Sequence, residues 1–146
     1  MSSRAPSRLR DQIATVLMLI CALAAGYGFV SLIPVAQAAG PEVQYAETWR
    51  VFGLAFFTCL FVLLAVWPRR YPGLWEVLII NKAALTLAGF VLNGQGAEGA
   101  DVAMISDLVL TILLIAAYLL SRGYSSWLPN TRFGRAATAS GPGEPG

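Results

Sequence analysis

The chain has 146 residues, 57% of them hydrophobic and 12% charged, with a formal net charge of +2 at pH 7. A water-soluble domain usually carries about 25% charged residues, and here the apolar residues are clustered, so an ordinary soluble globule is excluded. The small, divided charge gives no footprint for nucleic acid. Histidine is absent, which removes the commonest metal and haem ligand and the commonest general base. Cys21 and Cys59 lie in separate apolar stretches with no C-x-x-C spacing. A disulfide framework, a zinc site and a thiol-exchange motif therefore lack support, and neither a metal nor a cofactor is expected.

A spanning helix needs about 20 mostly apolar residues to cross ~30 Å of hydrocarbon. Four stretches meet that length, at 13–34, 49–67, 74–92 and 102–120. The expected fold class is all-α: an integral membrane four-helix bundle, antiparallel and up-down, with both termini inside. A basic N-terminal segment (1–12) precedes the helical domain (13–128), and a disordered cytoplasmic tail follows it (129–146).

In chain order, the first helix follows Arg4, Arg8 and Arg10, and ends at Pro34-Val35-Ala36-Gln37-Ala38. That ending resembles a secretory cleavage site, yet the apolar run is longer than a signal h-region, which favours a retained span. Ala22-x-x-x-Gly26 and Ala24-x-x-x-Gly28 give this helix a close-packing face, suited to a membrane-protein partner or to homo-oligomer formation. The second helix carries Phe52, Phe56, Phe57 and Phe61, an aromatic surface that suits a lipophilic small molecule or plain packing. The turns between helices use Gly40-Pro41, then Pro68 and Pro72-Gly73, then Asn93-Gly94-Gln95-Gly96.

Charge sets the orientation. Eight of ten cations (Arg4, Arg8, Arg10, Arg69, Arg70, Arg122, Arg132 and Arg135) fall on one side, while Glu42, Glu47, Glu98 and Asp101 occupy the other two loops. This pattern reads as both termini cytoplasmic. Nine Arg against one Lys, with abundant Ala and Gly, suggests a GC-rich bacterial genome and hence a plasma membrane.

Charges within a span are functional candidates because burying them in hydrocarbon is costly. Four remain after the topology markers are set aside: Arg50, Glu76, Lys82 and Asp107. Lys82, Thr86, Gly89 and Asn93 form one stripe at helical spacing, and Asp107, Thr111, Leu114 and Tyr118 form another. A short loop joins these two helices, so an Arg50/Lys82/Asp107 charge cluster is expected in the outer half of the bundle. Such a cluster serves either to fix register or to bind a ligand and handle protons. Glu76 is expected at the interface, paired with Arg69 or Arg70, with a protonated carboxyl in a dry pocket as the alternative. Asn81 points about 100° from Lys82 and suits an interhelical hydrogen bond.

The segment Thr48-Trp49-Arg50-Val51-Phe52-Gly53-Leu54, the Pro68-Arg69-Arg70 turn, Asn81-Lys82 and Asp107 together resemble the small four-helix DoxX-like bacterial membrane proteins, with an R-x-x-G entry to the second span. The resemblance implies an accessory membrane role, in some members attached to quinone-linked oxidation or thiol stress, and it assigns no catalytic residue. Three functions are open on the residues. The first is a non-catalytic accessory or scaffold component, or a bundle that binds a lipophilic molecule. The second is an intramembrane isomerase or cyclase acting on a terpenoid, quinone or lipid-like substrate. Asp107 or Glu76 would then carry the proton, with Arg50, Lys82, Asn81 and Tyr118 as substrate contacts. The third is a small proton-coupled transporter. In each case the lipid bilayer is the surrounding medium.

Overall fold

The computed structural model describes residues 8–127, so the expected disordered tail at 129–146 lies outside the described residues. Four α-helices follow one another: α1 (Arg8–Ala38), α2 (Pro41–Val66), α3 (Leu74–Gly94) and α4 (Ala100–Ser121). A short 3₁₀ turn, Gly123–Trp127, ends the described chain. All four helices are long and apolar enough to cross a membrane.

The first two run past the bounds that hydropathy predicts. α1 continues through Pro34 to Ala38, and α2 starts at Pro41 instead of 49. The cause is local. Gly40 is extended and interrupts the helical path, while Pro41 occupies the opening position of α2, where its missing N–H removes no helical bond. Glu42 then sits in the first turn, where the helix dipole favours an acid. At ~1.5 Å per residue, the 31 residues of α1 reach about 46 Å and the 26 of α2 about 39 Å. This hairpin therefore outreaches a ~30 Å hydrocarbon layer.

α1 is the central element, packing along both α2 and α4, while α3 packs on α4. No comparable backbone contact joins α2 to α3. Gly26 faces Thr58, and a Cβ on Gly28 would meet Leu54 at 3.3 Å. Thr15 donates to the Ala65 carbonyl at 3.3 Å. Partner numbers fall along α2 as they rise along α1, so the hairpin is antiparallel. Gly26 and Gly28 thus face α2 inside the chain, while Ala24 is exposed.

The deepest core lies toward the α2–α3 loop, where Met18, Cys21, Phe61, Leu64, Trp75, Leu78 and Leu114 are all at most 1% exposed. Outward-facing positions are also apolar: Leu23, Phe52, Ile80 and Phe90 protrude with two thirds or more of their surface free. Contiguous apolar surface of this kind is unsustainable in water and suits contact with lipid tails.

The loop end carries a latch. Arg69 pairs with Asp11 of α1, and its Nε donates to the Ser121 carbonyl at 2.7 Å. Ser121 ends α4, where carbonyls lack helical partners and a cation complements the dipole. One guanidinium therefore ties α1, the α2–α3 loop and α4. Trp75 Nε1 donates to the Pro68 carbonyl at 2.7 Å, and Arg70 stacks over the Trp67 and Tyr71 rings. Both partners of the Arg69–Asp11 pair are about one third exposed, so its worth is modest. Arg69→Gln is expected to cost about 1 kcal/mol in detergent unfolding. Adding Asp11→Asn should then change little more, and an unaltered melting curve for Arg69→Gln would discount the latch.

Candidate functional site

Lys82 lies near the middle of α3, and its ammonium meets the Asp107 carboxylate of α4 at 2.8 Å. The Lys82 side chain is 6% exposed and that of Asp107 16%. The two polar or small stripes turn inward and meet. Lys82, Gly89, Thr111 and Leu114 are buried, with Thr86, Asp107 and Tyr118 half-buried. Gly89 lets α4 approach so closely that a Cβ there would lie 2.9 Å from Met104 Cβ and 3.0 Å from its Cα. Thr86 and Thr111 return their hydroxyls to the carbonyls of Lys82 and Asp107, at 2.9 and 2.7 Å. Neither threonine hydroxyl is therefore left as a spare donor toward the pair.

The third wall is aromatic. The Lys82 ammonium sits 3.9 Å from the centroid of the Phe57 ring on α2. A desolvated cation over a ring face gains up to about 2 kcal/mol, and the ring bridges the gap between the α2 and α3 backbones. Phe57 in turn stacks on Phe61 and meets Phe56 edge-on. The aromatic surface of the second helix is thus partly a lid over the ion pair.

Arg50 is not part of this site. It pairs instead with Glu47, one turn earlier on α2, at 2.7 Å, with half of its side chain exposed. The reason is depth. Arg50 shares the Phe57 face of α2 but lies seven residues away, about 10 Å along the axis, and Phe57 holds the level of Lys82.

Glu76 also departs from expectation. Arg69 and Arg70 are engaged elsewhere, and Glu76 Oε1 accepts from Tyr118 Oη at 2.7 Å and from Trp127 Nε1 at 3.1 Å. Its Oε2 is enclosed without a donor. Tyr118 packs against Trp75 and Tyr124, with ring centroids 5.9 and 6.1 Å away. Gly123 fits between Trp75 and Tyr118, where an added Cβ would come within 2.7 Å of both rings. Tyr118 and Glu76 therefore form one aromatic-walled cluster, separate from Lys82 and Asp107. Asn81 joins neither group: it is exposed, and its carboxamide makes no hydrogen bond within the described residues.

The pairing of Asp11 with Arg69, the Trp127–Glu76 hydrogen bond and the seat of Phe57 over Lys82 are contacts that the sequence pattern does not bring out. Asp11 carried a signal, since it is an acid on the side otherwise reserved for cations. Trp127 reaches Glu76 only because the 3₁₀ turn folds back after α4, and no periodicity announces that return.

Two further depressions lie along α1 and α2. One of about 320 Å³ is lined by Phe29, Ile33, Gln37, Gln44, Thr48 and Phe52. The other, of about 550 Å³, is lined by apolar residues with Gly26, Tyr27 and Thr58. Both are open on one side, and neither includes Lys82, Asp107 or Glu76. Among the described residues no three Cys, Asp or Glu side chains converge as metal ligands would.

No family model, curated protein or solved structure matches this chain. Fold and composition point to a class: a small multi-pass membrane protein, with four helices among the described residues long and apolar enough to span.

Proposed function

We propose that the chain is a non-catalytic accessory or scaffold component of a bacterial plasma membrane, an antiparallel up-down bundle with both termini cytoplasmic. The observation that supports this most is the closure of the Lys82–Asp107 pair. An acid that works on a substrate, or that loads and releases a coupling proton, needs an open approach. Here the ammonium, the carboxylate and the Phe57 ring occupy one another, and the two depressions along α1 and α2 do not reach them. A paired charge of this kind fixes helix register, which is the best-attested use of buried ions. The cation asymmetry supports the orientation, and the DoxX-like resemblance points to an accessory role as well.

The double variant Lys82→Leu/Asp107→Leu tests this reading in a deletion strain of the native host. A folded, membrane-inserted double variant that restores the wild-type phenotype has no need of an intramembrane acid. A folded double variant that fails to restore it would favour the proton-handling enzyme or transporter. The larger α1–α2 depression supports a second reading, a seat for a lipophilic molecule. It is apolar along its length and sized for part of an acyl or prenyl chain. Native mass spectrometry of delipidated protein titrated with prenylquinone or phospholipid checks it, with a saturable 1:1 adduct expected.

A further inference from the structure

Asn81 poses a problem that the monomer does not solve. It lies three residues from the centre of α3, about 4.5 Å along the axis, so it is deep in the hydrocarbon. Asn81 is exposed and its carboxamide has no hydrogen bond among the described residues, whereas the mid-span Lys82, Thr58, Thr86, Asp107 and Thr111 are all bonded. In a bilayer core no water is present to satisfy such a group, and an unpaired amide is strongly disfavoured.

The surroundings of Asn81 are patterned. Val77, Asn81, Ala84, Ala88 and Val91 are all exposed, and they recur at alternating steps of four and three residues. This is the seam of a left-handed helix pair. Ala84 and Ala88 offer little bulk, so two axes can approach to about 8 Å. The seam is distinct from the face that Lys82 and Gly89 turn toward α4, and α1 and α2 make no substantial backbone contact with α3.

We infer that this α3 face binds a second copy of the chain, in a two-fold dimer held at mid-membrane by a reciprocal Asn81–Asn81 amide pair. A partner for Asn81 must present a donor and an acceptor at the same depth. A second copy inserted in the same direction meets that condition automatically, because the two-fold axis along the membrane normal brings Asn81 opposite Asn81. Each amide then donates N–H to the carbonyl oxygen of the other, and the small residues on the next turn close the contact. This surface is independent of the Lys82–Asp107 pair and of the α1–α2 depressions, so it goes beyond the reading proposed above.

The full-length protein in liposomes, followed by single-molecule subunit counting over a range of protein-to-lipid ratios, tests the dimer. The native chain should pass from monomer to dimer as density rises. Asn81→Leu, on an exposed site that leaves the fold intact, should weaken association about tenfold, while Asn81→Gln should retain most of it. With exposed Cys59 replaced by Ser, Ala84→Cys and Ala88→Cys should oxidise to disulfide-linked dimers. Ala83→Cys and Phe90→Cys, exposed on the opposite flank, should not. A chain that stays monomeric at every density overturns the proposal. So does an Asn81→Leu variant that associates like the native chain, or cross-linking that favours the Ala83 flank.

Discussion

Replacing Asp107 with Ala is expected to cost about 3–5 kcal/mol in unfolding free energy, because it strands a buried cation. The Lys82 side chain is 6% exposed, and its stem is enclosed where it cannot extend to water. The Phe57 ring that remains offers up to about 2 kcal/mol to a desolvated cation, which does not replace a carboxylate. Lys82→Ala should be milder than Asp107→Ala. The carboxylate it leaves is 16% exposed, against 6% for the Lys82 side chain, so it is more readily hydrated. The decisive comparison is the double variant Lys82→Leu/Asp107→Leu, which removes both charges and refills the volume. It should recover most of what either single change loses, since apolar replacement of a buried pair is often neutral or stabilising. The coupling energy from the cycle of Lys82→Leu, Asp107→Leu and their double variant measures the pair itself. Denaturant titration in mixed micelles supplies the numbers. A double variant as unstable as Asp107→Ala would mean that the loss comes from removing the Lys82–Asp107 contact itself and not from a stranded cation.

The four helices are legible in the sequence because apolar runs of this length have few other uses. The Lys82–Asp107 contact is legible for a related reason. Charges inside spans are scarce, and helical spacing put both residues on stripes that a short loop turns toward each other. Arg50 shows where that logic stops. Face and polarity are periodic and can be counted, but depth depends on where each helix begins and how it slides on its neighbour. α2 begins eight residues earlier than its apolar run, and the face that carries Arg50 reaches Lys82 with Phe57 instead. Glu76 shows a second limit. Its donors are Tyr118 and Trp127, and Trp127 arrives from a turn that helical periodicity does not describe. Asp11 was an acid on the cationic side, and its use becomes clear only once Arg69 is seen to span three elements.

Gly89→Ala is the other change with a large expected effect, and its sign runs against helix propensity. In an unpacked helix, Gly to Ala stabilises by about 1 kcal/mol through backbone entropy and solvation. Here the new methyl would lie 2.9 Å from Met104 Cβ, 3.0 Å from its Cα and 3.2 Å from its backbone nitrogen. Two of those atoms are backbone, so no rotamer change relieves the contact and α4 must move away from α3. Overpacking of this kind costs about 1–3 kcal/mol. The displacement also acts at a distance. Gly89 is seven residues from Lys82 on the same face, about 10 Å along the axis, and Met104 is three residues from Asp107. Spreading the helices at Gly89 should therefore lengthen the 2.8 Å Lys82–Asp107 contact. The penalty for Gly89→Ala should then be smaller in the Lys82→Leu/Asp107→Leu background, where no ion geometry has to be kept. Equal penalties in the two backgrounds would make the close approach and the ion pair independent. A stabilising Gly89→Ala would mean that α3 and α4 do not meet there at all.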